Sequence, residues 1–504
     1  MQNAVSQGTT PGTTIESRCL RIFFYIAAAV FTLLTLIRIY VGWKDGVSLT
    51  EMSGTWIGMA DDMKHNVFYR PLSSSLGIGG TRYFPLHFVL QGELMKMGLG
   101  PEASGHVLEG IVCLALLLAM YRILRMLRAG PLMAACIPVL ILGTRAGQIA
   151  ILSVRGDLLP LTLNVLGLAV CIGAGGSSGA NSGVSLRRVL GASLFFTLAF
   201  ASKPTSLYGV AAVVVSFALA RQFRQAVQMM LATAAGCAAV IGVIALGTGG
   251  SFFVIYRACG LAAGYSLMSA TSTSFWPAFG LPLDLLVLVL GFCGFCALPG
   301  ARRLQMPAVF FLFAAAATFA VVGAVGAGQN HFIDVEVAAL IVFSAWLFDE
   351  QTNERKFGVA ALAMLTVASS YPMFIFVRHR ERDFAPYAES AYEPSLRQTV
   401  QFLGAQQKPI LAENTLVPLL AGQRPYLLDL WMFTVRAEGD PALANSMSKA
   451  IKEHQFGAIV LTPYTTLSAD NPYFFPKRLT EEMRQNYVLA KQFPRADIYL
   501  PRTQ

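Results

Sequence analysis

Two carboxylates, Glu51 and Asp157, two cations, Arg155 and Lys203, and one imidazole, His331, stand far apart in this 504-residue chain. Each nevertheless falls on the same predicted side of the apolar stretches that separate them. A carboxylate can take up a proton and cations can hold an anion, so this set points to one outward-facing polar site. The intervening elements must then gather these side chains onto one surface.

Those elements are membrane spans. The chain is 55% hydrophobic and only 13% charged, with a mean hydropathy of +0.56, more apolar surface than one soluble core could absorb. Stretches 22–37, 226–246 and 308–325 carry no acidic or basic residue, which excludes a soluble enzyme. The formal charge of +10 does not point to nucleic acid, because the arginines cluster at span ends instead of forming an aromatic-interleaved basic face.

The clusters Arg18/Arg21, Arg122/Arg125/Arg128, Arg187/Arg188, Arg221/Arg224, Arg302/Arg303 and Arg355/Lys356 serve as cytoplasmic markers. They predict eleven spans, at 19–41, 106–124, 131–152, 157–175, 189–202, 204–220, 226–247, 281–299, 307–326, 332–348 and 357–377. The amino terminus then lies inside behind an uncleaved anchor, and the carboxyl end outside. Arg38 is expected to snorkel from the outer end of the first span. Stretch 189–220 could be one helix kinked at Pro204, but a hairpin keeps Lys203 at an interface and out of the bilayer, where a charge costs about 2.5–3.5 kcal/mol.

Residues 1–377 thus read as a transmembrane domain with a large outer loop at 44–105, and residues 378–504 as a soluble extracytoplasmic α/β domain. In the tail, 409–412, 425–428 and 458–461 read as strands, and 394–405 and 441–454 as helices. In the loop, 51–64 is amphipathic, with Asp61 and Asp62 on its solvated face. Stretch 174–183 reads as a flexible cytoplasmic linker. Seven of eight cysteines sit in or at spans, so no disulfide framework is expected, and Cys293-Gly294-Phe295-Cys296 reads as small-residue packing.

Glu51 begins the loop's first helix, Tyr69-Arg70-Pro71 follows eighteen residues later, and Tyr83-Phe84-Pro85-Leu86 opens the next helix. This arrangement resembles the first extracytoplasmic loop of GT-C glycosyltransferases, a superfamily that includes protein mannosyltransferases and aminoarabinose transferases. Ser153-Val154-Arg155-Gly156-Asp157 resembles the family's second acidic position, and Ala201-Ser202-Lys203-Pro204 its Lys-Pro motif. Gln329-Asn330-His331 is similar to the polar start of a late span, and 419–429 to the terminal domain of bacterial members. Where the family often has Asp or Asp-Glu, this chain has Glu51-Met52.

The resemblance implies an α-helical polytopic fold and an inverting glycosyltransferase. It would take its sugar from a polyprenyl-phosphate donor and give it to a lipid, glycan or protein acceptor, at the outer face of a bacterial inner membrane. Glu51 would be the general base, with Asp157 a second catalytic carboxylate orienting the acceptor or a metal. Lys203, Arg155 and His331 would hold the donor phosphate, and Tyr69, Tyr83 and Asn330 would contact substrate. No cofactor is fixed by the sequence; a divalent metal stays open, because some relatives use one. Each residue also has a plainer reading: an interfacial carboxylate for Glu51, a helix-end charge for Asp157, a snorkelling turn residue for Lys203, loop packing for the tyrosines. A secondary transporter or a non-catalytic envelope scaffold is the competing class, although no internal repeat is evident.

Overall fold

The computed structural model describes residues 15–44, 46, 49–172, 184–260, 264–275, 282–324, 327–349, 355–378, 392–404, 406–461, 475–494 and 496–502. The linker expected at 174–183 lies outside them. Each of the eleven expected segments is helical. Five helices are long and apolar enough to cross a membrane unaided: Arg18–Lys44, Pro101–Met126, Phe223–Gly247, Gln329–Leu347 and Lys356–Ile375. A sixth arises if the bent pair Pro131–Gly143 and Arg145–Leu152 counts as one span, and four further apolar helices are shorter. The fold is therefore a multi-pass helical membrane assembly. Gln329–Leu347 runs through its centre, with Val337 to Val342 wholly buried, whereas Ile22, Ile26, Leu33 and Leu36 of the first helix face outward.

The 131–152 stretch departs from the straight span its hydropathy suggests: its two limbs meet at 83°. Pro138 removes a helical donor, a 3₁₀ turn follows at Leu140–Gly143, and Thr144 leaves helical space at ψ 156°. The Thr144 hydroxyl then accepts the Gly147 N–H at 3.0 Å, restarting the helix in a new direction. A Cβ at Gly147 would collide with the Ile141 carbonyl. The redirected limb presents Gln148, whose side-chain oxygen accepts from Arg38 Nε. Arg38 is thus 1% exposed instead of snorkelling, because a neighbouring helix supplies a partner that sequence alone could not reveal.

Around Pro204 the chain forms the hairpin. Lys203 is extended (φ −156°, ψ 114°), as the residue before proline must be when a helix ends. Asn164 donates to the Ser206 carbonyl at 2.9 Å and lies against Gly209, while Gly167, one turn further along Leu158–Ile172, faces Phe196. Both limbs therefore run back along that helix from Lys203.

The tail carries a four-stranded sheet of order β1-β2-β4-β3, with β1 at Ile410–Ala412, β2 at Ala458–Leu461, β3 at Tyr487–Phe493 and β4 at Ala496–Pro501. β1 pairs parallel to β2, and β4 antiparallel to β2 and β3. Helices Tyr392–Leu403 and Pro441–Lys452 match the expected ones. Stretch 425–428 is not a strand: it makes one bridge, Leu427 to Ile78 of loop 44–105, so its extended apolar pattern serves docking. The β3 and β4 hairpin has no alternating apolar signal, since most of β3 faces solvent.

Asp62 holds that docking together. Its carboxylate accepts from Arg70 at 2.8 and 2.6 Å and from Arg424 at 2.6 Å, and Arg70 also donates to the Pro425 carbonyl. Asp61 and Asp62 are buried, contrary to the solvated face expected for them, because the tail covers it. Replacing Asp62 with Ala leaves two guanidinium groups without their carboxylate. The expected loss is about 3–5 kcal/mol of stability, measured by thermal unfolding in detergent against Asp62→Asn as the milder control.

Candidate functional site

A cavity of about 280 Å³ opens where the hairpin turn, the segment before Leu158–Ile172, loop 44–105 and the start of Gln329–Leu347 meet. Asp157 lies at its wall. Gly156 lets the chain pass against the Trp56 ring, where a Cβ would clash. Lys203 Nζ donates to Asp157 Oδ1 at 2.7 Å, and Asn330 Nδ2 donates to Oδ2 at 2.6 Å. Lys203 Nζ also lies 3.0 Å from His331 Nδ1, which as acceptor must be unprotonated at that nitrogen. His331 Nδ1 is 3.6 Å from Asp157 Oδ1. Residues 157, 203, 330 and 331, carried by three separate elements, thus form one hydrogen-bonded cluster.

Arg155 lines the same wall. Its backbone N–H donates to Glu109 Oε1 at 3.3 Å and its terminal nitrogen to the Thr50 hydroxyl at 3.1 Å, while its Nε has no partner among the described residues. Thr50 is the N-cap of Glu51–Lys64, so the cap ties Arg155 to the helix that Glu51 begins. Glu51 does not itself line the cavity; its neighbour Met52 does. Among the described residues, the Glu51 carboxylate makes no hydrogen bond or ion pair.

Tyr83 lines the cavity, packs against Trp56 at 4.5 Å between ring centroids and reaches Met52 Sδ at 3.7 Å. Burial pushes its hydroxyl up to about 12, so it remains a neutral donor at physiological pH. Tyr69 stands behind the wall. It donates to the Tyr83 carbonyl at 3.0 Å and packs edge-on against Phe88 and Phe252, at a left-handed φ of 59°. Its role in the structure is to brace Tyr83.

Several lining residues carried no sequence signal, Arg82 and Trp56 among them. Arg82 precedes the Tyr83 motif, and Trp56 occupies a helix position that reads as core. With Arg82, Arg155 and Lys203 against the one carboxylate of Asp157, the wall has a formal charge of +2 when His331 is neutral. Such a wall favours an anion, and Trp56, Tyr83, Phe84 and Tyr256 add flat apolar faces. A divalent metal fits this wall poorly, since both Asp157 oxygens are engaged and cations surround them. Among the described residues, no group of three or more His, Cys, Asp or Glu side chains could hold a metal ion.

Behind the wall, His87 Nε2 and Glu109 Oε1 lie 2.9 Å apart, both fully buried. The His87 ring meets Trp56 edge-on at 5.0 Å, and Glu109 accepts the Arg155 N–H, so the pair braces two parts of the cavity at once. Neither residue stands out in sequence, because Leu86–Lys96 and the first turns of Pro101–Met126 each carry several polar positions. Glu109→Ala is expected to lower turnover about 10-fold or more, whereas Glu109→Gln, which keeps an acceptor oxygen, should retain most of it; kcat and Tm measured together separate misplacement of the wall from unfolding.

No protein-family model matches the chain, and no curated protein matches it. Solved structures do. ArnT from Cupriavidus metallidurans bound to undecaprenyl phosphate superposes with a TM-score of 0.59 at 13% identity, over 94% of this chain and 97% of that one. The Archaeoglobus fulgidus oligosaccharyltransferase in its apo form gives a TM-score of 0.55 at 12% identity, over 90% of this chain and 70% of that one. The arabinofuranosyltransferase AftD from Mycobacteria gives 0.50 at 12% identity, over 95% of this chain and 41% of that one. The chain has the fold of the GT-C membrane glycosyltransferases.

Proposed function

We propose that the protein transfers a sugar from a polyprenyl-phosphate donor to an acceptor hydroxyl at the outer face of a bacterial inner membrane, with inversion. The observation that carries this reading is the convergence of Arg82, Arg155 and Lys203 on one aromatic-lined cavity around Asp157. Its volume of about 280 Å³ is near the small end of the roughly 300–1,000 Å³ usual for ligand sites. It suits a glycosyl phosphate head group, with the isoprenoid chain left in lipid. On the eleven-span topology expected from the sequence, with the amino terminus cytoplasmic and 378–504 periplasmic, the cavity lies at the outer leaflet.

In the reaction the acceptor oxygen attacks the anomeric carbon, its proton passes to a carboxylate, and the bond from that carbon to the phosphate oxygen breaks. The donor phosphodiester carries one negative charge and the departing monoester two. A cationic wall therefore interacts more strongly with the product side of the transition state than with the ground state, which is the condition for catalysis. Lys203, Arg155 and Arg82 fill this role, with His331 and Asn330 fixing the Lys203–Asp157 pair.

Glu51 suits the base better than Asp157 does. Asp157 is ion-paired with the Lys203 ammonium at 2.7 Å and also accepts from Asn330, which makes it a weak base, whereas Glu51, one residue before the cavity-lining Met52, carries neither bond. Asp157 instead holds Lys203 in place and leaves the cavity with a moderated charge. The charged candidates gather at helix ends around one cavity and no internal repeat is evident, which disfavours a transporter.

The reading is tested by native mass spectrometry of the protein purified with its lipids. A polyprenyl phosphate or its glycosyl form is expected on the wild type and reduced on a Lys203→Ala/Arg155→Ala variant. Ordinary phospholipid alone, together with failure to take up added undecaprenyl phosphate, would overturn it.

A further inference from the structure

The tail reaches the cavity lining at Arg82. The Arg82 guanidinium lies 4.7 Å from the ring centroid of Trp431, in helix Leu430–Gly439 of the tail, and 5.8 Å from that of Tyr83. Trp431 is half-buried, and the helix that carries it is capped by Asp429, whose carboxylate accepts the Met432 N–H at 3.0 Å. The same helix is tied to the outer loop by Arg436, which donates to the Gly79 carbonyl at 3.4 Å. Ile78 and Leu428 add a backbone pair, with Ile78 N–H to the Tyr426 carbonyl at 2.7 Å and Leu428 N–H to the Ile78 carbonyl at 3.1 Å. Segment 78–82 is thereby held on the tail from end to end.

A planar guanidinium over an indole keeps all its N–H donors free at the ring edge, whereas a carboxylate partner would occupy two of them. Arg82 is thus oriented without a direct ion pair among the described residues, with the Asp429 carboxylate attracting it at longer range and the Tyr83 hydroxyl sharing a side-chain hydrogen bond with it. We propose that Trp431 is a positioning residue for Arg82, so that the tail supplies part of the binding site for the donor phosphate. This inference rests on the donor class proposed above, and it assigns the tail a part in recognition beyond covering the loop.

The test measures dissociation constants of the full-length protein for undecaprenyl phosphate and for undecaprenol in detergent. The alcohol shares the chain and lacks the anion. Trp431→Leu keeps apolar bulk and removes the aromatic face; Trp431→Phe keeps a face. Trp431→Leu should weaken phosphate binding about 2- to 30-fold, the range of such a cation–aromatic contact, leave the alcohol unchanged, and cause no further loss in combination with Arg82→Ala. Trp431→Phe should stay within about 3-fold of wild type. Unchanged phosphate binding in Trp431→Leu, equal losses for phosphate and alcohol, or full additivity with Arg82→Ala would overturn the inference. A wild type that does not distinguish the phosphate from the alcohol would instead overturn the donor reading.

Discussion

Glu51→Gln is expected to lower turnover by about 10²–10⁴-fold while undecaprenyl phosphate still binds, the range for loss of a general base. Glutamine keeps the shape of the side chain and its place at the start of Glu51–Lys64, where the Thr50 cap and the Thr50–Arg155 bond remain. The loss should therefore fall on kcat. Measured beside it, Asp157→Asn separates the two carboxylates: an amide there still accepts from Lys203 through its oxygen but loses the charge that holds the ammonium. Its main effect should be on donor affinity. If Asp157→Asn abolished turnover with binding intact and Glu51→Gln did not, the two roles would be exchanged.

Lys203→Ala should cost about 10²–10³-fold in kcat, as loss of one preorganised charge donor at a developing anion does. It also strips Asp157 of its 2.7 Å partner and leaves the carboxylate on the wall facing the incoming phosphate. Donor binding should weaken as well. Lys203→Arg keeps the charge but replaces a compact ammonium with a planar fork that cannot meet Asp157 Oδ1 and His331 Nδ1 in the same geometry, so partial activity is expected. Full recovery in Lys203→Arg would mean that net charge alone matters at this position.

The helical membrane class and the convergence of Asp157, Lys203, Asn330 and His331 were legible because hydropathy, arginine placement and helix-end polarity are local signals. The hairpin at Pro204 was legible for the same reason: a charge beside a proline belongs at an interface. Direction within an apolar stretch was not, so 131–152 read as one span although Pro138, Thr144 and Gly147 turn it by 83°. Arg38 was misread as a consequence, its partner Gln148 lying 110 residues away on the turned limb.

Pairings of this kind leave no periodicity. Asp62 lies on what looks like a solvated helix face, yet it meets Arg424 362 residues later. Arg82 and Trp431, or His87 and Glu109, are likewise joined only by tertiary contact. Glu51 and Tyr69 keep their expected spacing, but the helix start puts Met52 on the cavity wall, and the left-handed turn at Tyr69 sends its ring into the packing behind Tyr83.

The central claim is tested most directly by supplying the reconstituted protein with a panel of undecaprenyl-phosphate sugars and following release of undecaprenyl phosphate by mass spectrometry. The account predicts that the wild type consumes at least one donor with one undecaprenyl phosphate released per sugar transferred, and that Glu51→Gln binds that donor without turning it over. Equal release by wild type and Glu51→Gln, or a folded wild type that neither binds nor consumes any member of the panel, would contradict it.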